Sequence, residues 1–190
     1  MKLKDNNKEI AIIEQTLNIV YETGIAGVKM SKLAKQVGIS PSTLYVYFET
    51  KENLIVSIGL KILKDITERL ESALSGESSF EQKFRAKWLN MLQFMLNHEK
   101  EINFIDQWKQ SPYFNQESAT IWKDKGRLKS ELYQEGRDLG ILKDLNDNII
   151  HAVMSGLIKQ IIGLIKDGHL QMDQPSMDIA YSIVWGALKK

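Results

Sequence analysis

Side chains able to do chemistry crowd the stretch from Lys29 to Lys51, and they are amines and hydroxyls rather than nucleophile–base pairs. Lys29, Ser31, Lys32 and Lys35 come first, followed by Ser40, Ser42, Thr43, Tyr45, Tyr47 and Lys51. No Asp or Glu occurs from Thr23 to Phe48. An acid-free run of cations and hydroxyl donors suits a partner with many anionic oxygens, a phosphate backbone above all. It does not suit catalysis. The chain has no G-x-S-x-G elbow, no H-E-x-x-H and no Gly-rich phosphate loop. Cysteine is absent, and the three histidines, His98, His151 and His169, are too scattered to suggest a metal site. Neither an enzyme, nor a metal centre, nor a cofactor is expected.

Two short helices must position these groups. Ser40 can cap a helix through its hydroxyl, and Pro41 fits the first helical position, where its missing N–H is no loss. Leu44 and Phe48, four apart, form one apolar edge. Ser42 and Val46 point the opposite way, with Thr43, Tyr45 and Tyr47 on the flanks. Just before them, Met30, Leu33, Ala34 and Val37 repeat at helical spacing, and Gly38 stands where a left-handed residue ends a helix. Helix, Gly-containing turn and second short helix make a helix-turn-helix pattern.

Over Gly24 to Leu54 the sequence resembles the DNA-binding signature of the tetracycline-repressor (TetR) family of bacterial regulators. The resemblance rests on Lys32-Leu-Ala, Val37-Gly-Ile-Ser, Thr43-Leu-Tyr-Val-Tyr-Phe and Lys51-Glu-Asn-Leu, in order and with the right gaps. It covers about the first third of the chain. It implies that Thr43, Tyr45 and Lys51 hold DNA phosphates and that Ser42 and Tyr47 face bases or adjacent backbone. Lys29, Ser31, Ser40 and Val46 complete the candidate DNA contacts. Two positions depart from the family pattern: Lys29 replaces the usual hydroxyl cap before the first of the two helices, and Tyr47 stands where His is common. The short helix also lacks Arg, Asn and Gln, the side chains best suited to bidentate base readout. Base discrimination is therefore expected to rest on Ser42, Val46 and Tyr47, with DNA shape supplying the remainder.

The full length of 190 residues allows a buried core in one large or two small domains, and the net charge of +1 leaves nucleic-acid binding to a local patch. The N-terminal residues lack the apolar stretch of a signal peptide, and no apolar run approaches a membrane span, so a soluble, cytoplasmic protein is expected. The fold expected is all-α, about nine helices. A helix-turn-helix domain over 1–50 precedes a helical ligand-binding and dimerisation domain over 51–190.

The first helix is read from about Lys4 to Glu22, with Ile10, Ile13, Leu17 and Val20 inward. A long fourth helix follows Thr50 and runs out near Ser75-Gly76. Beyond Ser79 the residues turn large and apolar, and one helix is expected to run from about Phe114 through Tyr133. Two final helices span about Asn148 to Ile165 and Ser176 to Leu188. The first of them is so widely apolar that it must be covered on two sides.

Trp88, Met91, Phe104, Trp108, Phe114, Trp122, Tyr133 and His151 form an aromatic-rich set that reads either as ordinary core or as a pocket. The family resemblance implies an inducer site there, for an apolar or aromatic molecule, with Gln107, Asn103 or His151 as polar anchors. It also implies a homodimer joined by the last two helices, for which Met154, Leu157, Ile161, Ile165, Ile183 and Trp185 are the candidates. The function expected is a ligand-responsive regulator, most simply a repressor, whose two heads enter successive major grooves about 34 Å apart on a palindromic double-stranded DNA operator. The rival readings are a regulator with no small-molecule inducer and a helical small-molecule carrier.

Overall fold

The computed structural model describes residues 5–77 and 79–190, and among them it contains ten α-helices and no strand. In chain order these are α1 (Asn6–Thr23), α2 (Met30–Val37), α3 (Pro41–Tyr47), α4 (Lys51–Leu74), α5 (Phe80–Asn97), α6 (Glu99–Lys109), α7 (Gln116–Lys125), α8 (Arg127–Asp138), α9 (Asp147–Lys166) and α10 (Gln174–Leu188). The helices group into two compact units that do not follow chain order. One comprises the residues up to Asp65 together with His98–Trp122; the other comprises Ile66–Asn97 and Lys123–Lys190. The boundary expected at residue 50 thus falls inside the first unit.

In the first unit, Asp5 caps α1 by accepting a hydrogen bond from the Asn7 N–H at 3.0 Å. Lys4, where this helix was expected to begin, lies outside the described residues. The inner face of α1 carries Ile12, Thr16, Leu17, Ile19 and Val20, whereas Ile10 is exposed. The expected stripe is rotated because α1 packs against α6 as well as α2. Thr16 can occupy that buried face because its hydroxyl donates to the Ile12 carbonyl at 2.7 Å. Gly24, at φ 75°, ends α1 and leads into a 3-10 turn over Ile25–Gly27.

A single side chain fastens that turn to α6. Gln107 accepts from the Ile25 N–H at 3.1 Å and donates to the Val20 carbonyl at 3.2 Å, while its amide also donates to Asn103. Asn103 and Gln107, expected as ligand anchors, are thereby engaged in holding the first unit together. α4 and α6 also approach closely: a Cβ added to Gly59 would stand 2.4 Å from Trp108 Cε3. Only glycine fits there.

In the second unit, α5 packs on α8 and α9, and α10 packs on α9. Phe80, Phe84, Trp88, Leu92, Leu132, Tyr133, Ile150, Met154, Ile158, Val184 and Leu188 form its core. An isolated antiparallel bridge between Leu142 and Lys189 ties the chain end to the turn after α8, with the Lys190 N–H donating to Ile141 O at 2.9 Å. Arg137 fixes the end of α8 to the start of α9, its Nη1 donating to Asp147 Oδ1 at 2.8 Å and to the Leu145 carbonyl. Burial pushes the Asp147 carboxyl up, but hydrogen bonds from Ser130 and Arg137 and the Arg137 charge outweigh it and hold the group below the ordinary carboxylate range. The single helix expected from Phe114 through Tyr133 is two, α7 and α8, interrupted at Gly126. Glycine there lowers the helix propensity of the join.

Candidate nucleic-acid interface

The tip of the first unit is built from α2, α3 and the start of α4. Gly38, in the left-handed region at φ 76°, closes α2 with its N–H on the Ala34 and Lys35 carbonyls and aims the chain into α3. Ser40 caps α3: its Oγ accepts from the Thr43 N–H at 3.1 Å and lies 2.8 Å from both the Ser42 and the Thr43 hydroxyl oxygens. No side chain caps α2, whose N-cap is Lys29.

Because Leu44 and Phe48 are buried, α3 has one inward edge and its other residues face out. Tyr45 is 47% exposed and Val46 62%. Ser42 is exposed and Thr43 half-buried. Lys29, Ser31, Lys32, Lys35 and Ser40 are exposed beside them. This face offers hydroxyls, one branched apolar side chain and a rim of amines. It can donate to phosphate oxygens and press methyl groups against a base edge.

Two of the sequence candidates carry structural ties in addition. The Tyr47 hydroxyl accepts from the Asp5 N–H at 3.0 Å, which pins the end of α3 to the start of α1. Lys51, on the first turn of α4, holds its Nζ 5.7 Å from the centre of the Tyr113 ring. Thr50 caps α4 by accepting from the Asn53 N–H at 3.0 Å, so the amine sits at a well-formed helix start. Tyr113 escaped the sequence reading. It follows Pro112 in a connection with no periodic pattern, and only folding brings it to Lys51.

The aromatic candidates do not form one set. Phe104, Trp108, Phe114 and Trp122 belong to the first unit, where the last three meet edge to face at 5.0–6.5 Å between ring centres. Lys109 Nζ lies 4.6 Å above the Trp122 ring. Trp88, Met91, Tyr133 and His151 belong to the second unit, where Trp88 lies 5.7 Å from Tyr181 and Tyr133 lies 6.2 Å from Phe84. The same interior contains Lys87, which the sequence reading passed over. Lys87 occupies the inner stripe of α5 after Phe80 and Phe84 and before Met91, and that charge at an apolar position was the available signal. A shallow hollow of about 370 Å³, lined by Arg137, Gly140, Leu142, Lys143, Asp144 and Lys190, involves none of the expected ligand residues.

On the last two helices, Met154 and Ile161 face the interior of their own unit, Leu157, Ile165 and Trp185 are half-buried, and Ile183 is 58% exposed. The outward apolar strip also carries Ile149, Leu164 and Ile179, which were not among the candidates. Gly156, Gly163 and Gly186 open onto empty space: a Cβ added at any of them would meet nothing within 4 Å. α9 is long and apolar enough to cross a membrane by length and composition, yet only 28% of its most apolar window is buried within the chain.

Comparison with known proteins places these features. A family model for "Bacterial regulatory proteins, tetR family" matches residues 12–58, and one for "Tetracyclin repressor-like, C-terminal domain" matches residues 60–190. An uncharacterised HTH-type transcriptional regulator of Haemophilus influenzae is 22% identical over 183 residues, 94% of each chain. A fatty acid metabolism regulator protein of Bacillus subtilis is 29% identical over 76 residues, 40% of this chain and 39% of that one. Among solved structures, a TetR family transcription regulator from Marinobacter aquaeolei matches with a TM-score of 0.89 and 20% identity over all of both chains. The acid-free, hydroxyl-bearing tip and the helical body behind it have the same explanation: the chain belongs to the TetR family of bacterial regulatory proteins, and is a DNA-binding transcriptional regulator, not an enzyme.

Proposed function

We propose that this regulator is a cytoplasmic, ligand-responsive repressor that works as a homodimer on a palindromic operator. The observation that carries the reading is the outward face of α3, where Ser42, Tyr45 and Val46 stand out because Leu44 and Phe48 hold the opposite edge in the core. Thr43, Tyr45 and Lys51, with Lys29, Ser31 and Ser40, contact phosphates. Ser42, Val46 and Tyr47 contribute the base preference, and DNA shape adds to it. Tyr47 also keeps α3 registered on α1 through Asp5.

Dimerisation is supported by the strip of Ile149, Leu164, Ile179 and Ile183, whose glycine neighbours let two helix pairs approach closely. A twofold axis through such a self-complementary strip gives an isologous four-helix interface. The two heads then meet successive major grooves about 34 Å apart. An apolar or aromatic effector releases DNA by binding one conformation of the dimer better than the other, and can shift the population only by that difference in affinity.

The test is selection of a binding site from random duplexes, followed by fluorescence anisotropy with the selected site at several salt concentrations and in the presence of apolar compounds. A palindromic site, a steep salt dependence and release by at least one compound class support the reading. A non-palindromic site occupied by a single subunit overturns the dimer model. Insensitivity to every compound, with normal operator binding, favours a regulator without an inducer.

A further inference from the structure

Lys87 is the one feature of the second unit that its core packing does not explain. The side chain is 4% exposed, yet its amine meets no carboxylate among the described residues. Its contacts are the Met154 sulfur, at 4.0 Å, and the face of the Tyr133 ring, 5.3 Å from the centroid. The Tyr133 hydroxyl donates to the same Met154 sulfur, at 3.5 Å. Two strong donors on two helices therefore converge on one thioether, a weak acceptor. On the next residue of α5, the buried Trp88 indole N–H has no acceptor at all. This interior has donors in surplus, and a buried ammonium without an anion is costly enough that an apolar residue would serve stability better.

We propose that Lys87 and the Tyr133 hydroxyl anchor the acidic end of an apolar carboxylic acid, whose carboxylate takes the place that Met154 Sδ now fills. The inference rests on the ligand-responsive reading above and names its ligand class. Met154 suits the role of a displaceable plug, since its unbranched side chain repacks readily. Around it stand Phe84, Trp88, Ile150 and Ile158, all buried, which favour an alkyl or aryl body. One buried cation neutralises one charge, so a monoanion fits better than a dianion. The charged and titratable groups near the amine are Lys129 and Tyr133 on α8, with His151 one turn before Met154 on α9; Lys83, one turn earlier on α5, is paired with Glu135. Burial, with Lys129 adding to it, lowers the Lys87 amine to about 7, so an entering carboxylate would recruit a proton to it near neutral pH.

The experiment uses the full chain and two matched pairs of probes: dodecanoate with dodecanol, and naphthoate with naphthalenemethanol. Binding is followed by tryptophan emission and by calorimetry in buffers of different ionisation enthalpy, for wild type, Lys87→Met and Tyr133→Phe, with melting curves to establish that each variant is folded. At least one acid should bind the wild type at least about tenfold tighter than its alcohol, the order expected of a charge-assisted hydrogen bond. Binding should take up protons near pH 7.5, and Lys87→Met should abolish both the preference and the uptake. Equal binding of acid and alcohol, an acid preference that survives in Lys87→Met, or no acid binding at all would each overturn the proposal. The regulatory reading is scored separately: DNA release by a neutral compound, without acid binding, removes the Lys87 site and leaves that reading standing. Acid binding with the expected Lys87 dependence, but without DNA release, does the reverse.

Discussion

Lys87→Met should stabilise the protein, and the gain should shrink as pH rises. The native amine titrates at about 7 against 10.5 in the unfolded chain. Between those values the unfolded state binds a proton that the native state has given up, so wild-type stability rises with pH. Below pH 7 both states hold the proton and the penalty of the buried charge is present in full. Each pH unit inside the window is worth up to about 1.4 kcal/mol, and integration from pH 7 to pH 9 gives about 2 kcal/mol. Methionine has similar length and no charge, so the variant lacks this dependence. Its advantage over wild type should be largest at pH 7 and fall by about 2 kcal/mol at pH 9. Burial raises the Tyr133 and Tyr181 hydroxyls, which penalises the native state only once unfolded tyrosines ionise near pH 10, above the window. The assay is urea unfolding of both proteins at pH 7 and pH 9 at fixed ionic strength, and the other titrations cancel in the difference. Parallel stabilities at the two pH values, or a less stable variant at pH 7, would refute the picture of an uncompensated buried ammonium.

Gly59→Ala puts a methyl group into the Trp108 ring, 2.4 Å from Cε3, and should cost about 1–3 kcal/mol or more by overpacking, read as a lower melting temperature. Lys51→Ala should weaken binding to the selected operator and to unrelated duplex alike, and reduce the log–log salt slope by about 0.9, measured by anisotropy. An unchanged slope would remove Lys51 from the phosphate contacts. Ile179→Asp combined with Ile183→Asp, on the outward face of α10, should leave helix content intact and halve the mass found by sedimentation equilibrium. A dimer that survives both charges uses another surface.

The recognition region was legible because its determinants are local. Ser40, Pro41, Leu44 and Phe48 prescribe the start, direction and buried edge of α3 within nine residues, and Gly38 prescribes the turn. Helix limits were readable to within a few residues wherever a cap marked them, as Asn146 and Asp173 do for the last two helices. What periodicity could not supply was partnership. Ile10 and Ile12 are equally apolar, and only the presence of α6 decides which turns inward. The aromatic residues looked like one cluster because they are near in sequence; the chain sends them to two units. Lys87 was overlooked for the opposite reason: a lysine among apolar residues is normally taken for a surface position.

Gln107 and Trp108 also bear on how the protein is made. The unit that carries α3 includes α6 and the stretch to Trp122, so the N-terminal helices emerge from the ribosome well before their packing partners do. Until α6 has been synthesised, the Gly59 notch has no tryptophan to receive and the turn after α1 lacks its amide clasp. A polypeptide halted before residue 98 would contain every group that touches the operator and none of the material that seats it. Nascent chains of that length should be vulnerable to proteases and chaperone-dependent, and native operator affinity should appear only with chains that reach α6 and beyond.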